Sequence, residues 1–277
     1  MSKRILVISD PQNKPGAPTD HMYWLGLYAA KIKPDIIVAI GDFHDFPSMS
    51  SWDKGKKSYE GRRYLDDYRA GNYALYLFEA GCATANKGRK YKLWNPRKLI
   101  TFGNHEYRQD RVLACNPELE GVIGYHLMNW EEHGWETYPF RQAVEVEGVA
   151  FNHYFASGTM GRPVTSAKLL LGKKHQSSVM GHVQIRDIAY ASDAMGRSMT
   201  AIFTGAYYQH FEEYLGPEGN KVWYGVWVLN DVHDGSFDEM PVSMRFLHKR
   251  YGDLTKGYRE LGWLPPTAYE SNGDLEV

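Results

Sequence analysis

Three short apolar runs in the N-terminal part of the chain share one form. RILVIS (4–9), DIIVAI (35–40) and KLITF (98–102) are rich in β-branched residues and are bounded by Gly, Asp or Asn, a pattern that predicts strands. Between the first two, Asp20 can cap a helix that runs to about Lys33 and stops before Pro34. This is a βαβ unit, which predicts parallel strands and a right-handed crossover. Between the second and third strands lies an insert from Phe46 to Arg97, whose middle, roughly Tyr64 to Thr84, has helical periodicity.

The second half follows a different rhythm. AVEVEGVAFNHYF alternates with period two around Glu147-Gly148, IRDIAYASDAMGRSMTAIFTG folds back around Asp193 to Gly196, and KVWYGVWVLNDVHDGSFDEMPVSMRFLH turns at Asp234-Gly235; each predicts a hairpin. The fold class expected is a mixed α/β sandwich, with βα units first and then mostly antiparallel strands forming a second layer. No low-complexity linker, repeat or domain break interrupts the pattern. Residues 1–265 therefore read as a single domain with a helical, basic insert at about 46–97, and residues 266–277 as a loosely held tail.

Composition narrows the function classes. A net charge of −1 excludes nonspecific polyanion binding by bulk electrostatics, so any nucleic-acid contact needs a local patch. Cys82 and Cys115 are the only cysteines and form no CxxC, which fits a reducing compartment and leaves no disulfide framework or thiolate zinc knuckle. The opening MSKRILVIS has the cations of a signal peptide but too short an apolar run before Ser9-Asp10-Pro11, and no stretch approaches membrane-spanning length. A cytoplasmic protein is expected.

The candidate chemistry lies where the apolar runs end. RILVIS is followed by Asp10, DIIVAIG by Asp42, KLITFG by Asn104-His105, GVAFN by His153 and SSVMG by His182. Parallel strands share a carboxyl edge, where open α/β sheets form their sites. Taken singly, a polar residue after a strand is more often a turn former or helix cap than a ligand; five in this order point to a common site. Oxygen and imidazole donors without thiolates suit hard to borderline divalent metals.

The series SDPQ (9–12), GDFHD (41–45), GNHE (103–106), FNHYF (151–155) and GHVQ (181–184) resembles the calcineurin-like metallophosphoesterase superfamily, with GNHE and GDxxD the most specific pieces. DKGKKSYEGRRY, GTMGRP and the long last hairpin are similar to phosphoesterases encoded by bacteriophages and prophages, which would place the protein in a host cytoplasm. The resemblance implies an αββα fold, in which a two-layer mixed β-sandwich is flanked by helices. It further implies two metals with a bridging hydroxide that attacks phosphorus. Carried over by position, Asp42 bridges the metals; Asn104, His153 and His182 complete the second site; Asp10 belongs to the first. His105 protonates the leaving alkoxide or steadies the phosphate, and Asp45 orients its imidazole.

Two positions depart from the family. Where it has histidine after the first aspartate and at the end of GHxH, this chain has Gln12 and Gln184. Site one becomes Asp10, Gln12, Asp42 and Gln184, all oxygen donors if the amides present their carbonyls, whereas site two keeps two imidazoles. Amide oxygens favour Mn²⁺ (the metal expected), Mg²⁺ or Ca²⁺ over Zn²⁺ or Fe²⁺, with Ni²⁺ also worth testing. The outcomes open are a hard-metal dinuclear site, a site with one firmly held ion, or lost chemistry; retained activity with a weak first site is favoured, because His105, Asp45, Asp42 and Asn104 are all present.

Further candidates lie nearby. Arg108 could grip a substrate phosphate bidentately or be an ordinary surface arginine. His44 could face substrate, although loop histidines are commonly just solvated, and His210 could wall the site, although packing is the more usual role. HEYRQ is no HExxH zincin motif, and no P-loop or GxSxG elbow occurs. KGKKSYEGRR (54–63) and NKGRKYKLWNPRK (86–98) interleave cations with Tyr and Trp, which suits phosphate-backbone and base contacts, although cations collect more often at helix C-termini and in solvated loops. The activity expected is metal-dependent hydrolysis of a phosphate ester, preferably a diester of a nucleotide or DNA. The alternatives are a catalytically impaired phosphate- or nucleic-acid-binding protein and, third, a protein phosphatase.

Overall fold

A computed structural model describes residues 2–210 and 221–262, with only the backbone of Tyr258 included; the expected tail at 266–277 lies outside the described residues. Strands β1 (Lys3–Ile8), β2 (Ile36–Ala39), β3 (Arg97–Thr101) and β4 (Glu136–Tyr138) run parallel in one sheet. Helix α1 (Asp20–Ile32) links β1 to β2, and α2 (Tyr64–Ala83) forms the middle of the insert. Thr19, one residue earlier than expected, occupies the N-cap of α1, and Lys33 closes it in the left-handed conformation.

The second sheet contains β5 (Val144–Val146), β6 (Val149–Asn152), β7 (Ser178–Met180), β8 (Arg186–Ser192) and β9 (Ser198–Thr204), in the order β5-β6-β7-β9-β8. The hairpins expected around Glu147-Gly148 and Asp193–Gly196 form its edges, but β6, β7 and β9 in its middle are parallel. It is therefore a mixed sheet rather than a mostly antiparallel layer.

The third hairpin, β10 (Gly225–His233) and β11 (Ser236–Ser243), does not enter that layer at all. It pairs antiparallel with β1, setting Leu6 opposite Val228, and completes the first sheet as β11-β10-β1-β2-β3-β4. The physical reason is that Gly225–Leu229 is buried on both faces, and a strand with two apolar faces stabilises only an interior sheet position.

Period-two alternation then divides the core. Ile5, Val7, Ile36, Val38 and Leu99 face Val149, Phe151, Val179 and Ile202 between the sheets, whereas Leu6, Ile8, Ile37 and Ile100 pack beneath the helices. Helices α1, α2 and α5 (Met244–Glu260) cover the first sheet, and α4 (Ala167–Lys174) covers the second. The start of α5 falls on MRFLH, which the periodicity had placed in the last strand; Ser243 caps it by accepting from the Phe246 amide at 3.2 Å. The short helix α3 (Arg108–Cys115) follows GNHE. No helix among the described residues is long and apolar enough to cross a membrane.

Helix α2 sits close enough to α1 that Gly26 and Gly81 touch backbone to backbone, and a Cβ on Gly26 would meet the Phe78 carbonyl. Gly26→Val is expected to lower stability by about 1–3 kcal/mol or more. Gly172→Ala in α4, where a Cβ meets nothing, should instead raise it by up to about 1 kcal/mol. Urea denaturation of both variants checks the contrast.

Candidate metal centre

The carboxyl ends of five strands meet. Asp10 follows β1, Asp42 follows β2, Asn104 follows β3, His153 follows β6 and His182 follows β7. The sheets are joined there by hydrogen bonds: the His182 amide donates to Asp10 Oδ2 at 3.1 Å, and His153 Nδ1 donates to the Ile40 carbonyl at 3.0 Å. Backbone bonds add Gln12 N to Asp42 O at 2.8 Å and Tyr207 N to Asp10 O at 3.2 Å.

Space explains the glycines of the three G-containing motifs. A Cβ on Gly103 would strike the Asp42 carboxylate, and one on Gly181 would strike Asp10 and Ser9 Oγ. Gly41, at φ +87°, would place a Cβ 2.6 Å from Gly103 N and 2.8 Å from His153 Nδ1. Five of the seven residues expected as ligands (Asp10, Gln12, Asp42, His182 and Gln184) themselves have φ between 43° and 65°. For non-glycine residues this costs on the order of 1–3 kcal/mol each and collects at functional sites.

Donating Nδ1–H to Ile40 leaves His153 Nε2 with a lone pair. That lone pair faces Asn104 Oδ1 at 2.9 Å, His182 Nδ1 at 3.2 Å and Asp42 Oδ2 at 3.4 Å. An amide oxygen and a carboxylate have no proton to offer it, and His182 Nδ1 can donate only as its Nδ1–H tautomer; a cation would satisfy every member at once. Asp42, His153 and His182 form a cluster that could hold a metal ion, with ligand atoms all within 4.8 Å of one another.

The titration of these groups agrees. Burial lowers the pKa of both imidazoles, that of His182 to about 4 with help from His153, so each gives up its proton to a ligand bond more readily than a free imidazole. Burial pushes the Asp42 carboxyl up, but His105, His153 and His182 outweigh it and hold the group ionised. Asp10 is held well above the usual carboxylate range, by burial first and then by the charge of Asp42. Its Oδ2 accepts from Ser9 Oγ and the His182 amide, while its buried Oδ1 has no partner. Two buried carboxylates, one oxygen unsatisfied, fit a cation between them.

The amides of site one differ. Gln184 Oε1 already accepts the Tyr208 hydroxyl at 2.9 Å, an engagement that leaves one lone pair. Gln12 is buried and lines the cleft in front of the centre.

Sequence reasoning assigned no role to Glu106, the last letter of GNHE. Fully buried, it accepts from the amides of Asp42 at 3.0 Å, Phe43 at 2.7 Å, His44 at 2.9 Å and Gly103 at 2.7 Å. One carboxylate thus fixes both loops that present Asp42 and Asn104. Its pKa is raised to about 7, by burial first and then by Asp42.

Beside the centre, His105 Nδ1 donates to Asp45 Oδ1 at 2.6 Å, which sets the tautomer and leaves Nε2 3.6 Å from Asp42 Oδ2. Burial pulls the imidazole pKa down, yet Asp42 and Asp45 bring it above the ordinary value. Arg108 donates from Nη1 to the carbonyls of Asp45 and Phe46 at 2.6 and 3.2 Å and brings Nη2 to 3.1 Å from His105 Nε2. Its guanidinium is thereby half engaged in bracing the GDFHD loop.

His44 is a correction. Rather than facing substrate, it is fully buried, stacked on Phe46 at 5.3 Å and pressed against Gly71. His210 stacks on Tyr208 at 4.4 Å, behind the residue that holds Gln184. The stretch 86–98 is also displaced. It leads into the start of β3, and Trp94 Nε1 donates to the Pro34 carbonyl at 2.8 Å, so it lies at the sheet edge opposite the centre. Arg97 and Lys98 there are paired with Glu136 and Glu79.

Two clefts adjoin the centre. A larger one of about 920 Å³ is lined by Gln12, Asp45, His105 and the 54–63 region. A smaller one of about 540 Å³ reaches His182 and Tyr154, and Trp52, Asn104 and Arg108 border both.

No family model matches the chain. Over 70 residues it is 43% identical to the Gene 54 protein of Mycobacterium phage L5, a match covering 24% of this chain and 26% of that protein. The chain thus resembles a bacteriophage protein over about a quarter of the length of each. One solved structure aligns over 88% of this chain and 100% of its own at 11% identity, with a TM-score of 0.34, a likeness too slight to support a fold assignment.

Glu106→Gln would turn two of the four amides toward an NH₂ group, and is expected to cost about 1–3 kcal/mol or more in urea denaturation. Asp67, which accepts from the Ser48 amide and hydroxyl at 3.0 and 2.5 Å, has its pKa raised to about 7, chiefly by burial. The folded state therefore binds this proton more tightly than the unfolded chain, and stability falls as pH rises from about 4 to about 7. Asp67→Asn should gain on the parent protein by on the order of 1–3 kcal/mol between pH 5 and pH 8, measured as the difference of two denaturation series.

Proposed function

We propose that the protein is a metal-dependent phosphoric ester hydrolase of the calcineurin-like metallophosphoesterase type, with the αββα arrangement of that superfamily. The observation that carries this reading is the lone pair of His153 Nε2 directed at Asn104, His182 and Asp42, with the His105–Asp45 pair alongside. Motif resemblance supplies the reaction class; the geometry supplies donors of the right kind.

Asp42, Asn104, His153 and His182 would hold one ion, and Asp10 with Asp42, Gln12 and Gln184 the other. Bound divalent ions would supply Lewis acidity toward the phosphoryl oxygens and acidify a water. The chain's own residues do the rest. His105, kept in one tautomer by Asp45, presents Nε2 toward the centre and delivers a proton to the departing alkoxide. Its raised pKa keeps that proton available near neutrality. The free face of Arg108, which is held in place by two carbonyls, meets a phosphate oxygen.

A second reading, a phosphate- or nucleic-acid-binding protein with impaired chemistry, draws on one observation. The Tyr208 hydroxyl already occupies Gln184 Oε1, which weakens an amide donor that is poor to begin with.

The deciding experiment loads the full chain with Mn²⁺, Mg²⁺, Ni²⁺ or Zn²⁺ and measures bound metal beside hydrolysis of p-nitrophenyl mono- and diesters. Hydrolysis with Mn²⁺ is expected, and His105→Asn should reduce kcat by about 100-fold or more at unchanged metal content. Gln12→His with Gln184→His should raise stoichiometry and rate together. No turnover with any metal would favour the binding protein, and an unchanged stoichiometry in the double variant would remove both glutamines from the ligand set.

A further inference from the structure

The two clefts that meet at Asn104 and Arg108 differ in charge. Cations of the larger are matched by carboxylates: Asp53 alone pairs with both Arg62 and Lys56 at 2.8 Å. The smaller is lined by Arg108, Arg111 and Arg141, and among the described residues its lining includes no Asp or Glu. It is an electropositive slot opening from the candidate centre, and so favours an anionic occupant.

Aromatic rings share that slot. Tyr107 and Phe140 lie 5.1 Å apart, the Arg141 guanidinium sits 5.2 Å from the Phe140 ring, and Trp52 stands at the border of both clefts with 81% of its surface exposed. Arg111 is exposed and donates to Ser51 Oγ at 3.3 Å. Arg108 is paired with Asp45 at 3.5 Å, whereas among the described residues Arg111 and Arg141 form no ion pair with a carboxylate. Exposed rings beside such arginines are a surface on which unpaired bases stack and their phosphates are held. A monoester has no second arm to place there, and a peptide would engage the guanidinium groups only through acidic or phosphorylated side chains.

We propose, resting on the hydrolase reading, that the smaller cleft is a subsite for one arm of a phosphodiester in a single-stranded oligonucleotide. Its bases stack on Trp52 and on the Tyr107–Phe140 pair, and the phosphates beyond the scissile one meet Arg111 and Arg141. The scissile phosphate lies at the junction, and the other arm runs into the larger cleft.

Fluorescence anisotropy of the Mn²⁺-loaded full chain with a labelled pentadeoxynucleotide or pentaribonucleotide, over a salt series, tests this, with p-nitrophenyl ester hydrolysis followed in parallel. Arg111→Ala with Arg141→Ala should weaken binding and flatten the salt dependence by about 1.4, two contacts at about 0.7 each for a single strand. Arg111→Ala alone, at an exposed position, should flatten it by about 0.7. Trp52→Ala should weaken binding roughly 5- to 160-fold. Lys90→Ala with Lys92→Ala, in the stretch at the opposite sheet edge, should leave the slope as it was. A preference for one sugar names the polymer and upholds the subsite. If the esters are hydrolysed but neither oligonucleotide binds, or the arginine variants keep the parent slope, the subsite is overturned. Binding that responds to the arginines, with no ester hydrolysed, upholds the subsite and overturns the hydrolase reading.

Discussion

Glu106 decides whether the candidate centre exists. Asp10 and Asp42 are both buried and their charges oppose one another. Phe43 and Phe46 pack the Asp42 loop against Trp130 and Tyr68, but that packing neither satisfies the loop amides nor offsets the repulsion. Four amide hydrogen bonds to one buried carboxylate hold the loops in place. Charge-assisted bonds of this kind are roughly twice as strong as neutral ones. A polar clamp can therefore hold positive φ values and crowded acceptors that packing alone would let relax.

Much of this arrangement is legible in the sequence because it follows from periodicity. Short β-branched runs gave β1, β2 and β3, and the Glu147-Gly148, Asp193–Gly196 and Asp234-Gly235 turns gave three hairpins. The convergence of Asp10, Asp42 and Asn104 also follows, since parallel strands of one sheet end on one edge; His153 and His182 join them because β6 and β7 are parallel too, in a layer expected to be mostly antiparallel. What periodicity does not encode is which sheet a hairpin joins. β10 reads as a strand in either layer, and only the burial of both its faces, a tertiary property, assigns it to β1.

Side-chain direction was equally hidden. His44 and His105 occupy similar loops, yet His44 turns into the aromatic cluster of Phe43, Phe46 and Trp130 while His105 turns toward Asp45. Glu106 could have been suspected, because an acidic residue directly after a strand-end motif must either be solvated or bind backbone. No linear signal marks the arginines of the smaller cleft, which come from separated segments at 108–111 and 141. The basic stretch at 86–98, conspicuous in sequence, belongs to the opposite edge of the sheet.

The hairpin that completes the first sheet has a consequence for how the molecule is made. Strand β1, which carries Asp10, pairs on one side with β2 and on the other with residues more than two hundred positions away. While synthesis proceeds from the N-terminus, that flank of β1 stays an open sheet edge, a template for unwanted pairing until the last strands emerge. Topology of this kind slows folding, because distant segments must meet before their contacts repay the lost chain entropy. The Asp10 side of the pocket therefore matures late, and a chain interrupted before Gly225 would display its ligands on an unfinished, adhesive edge.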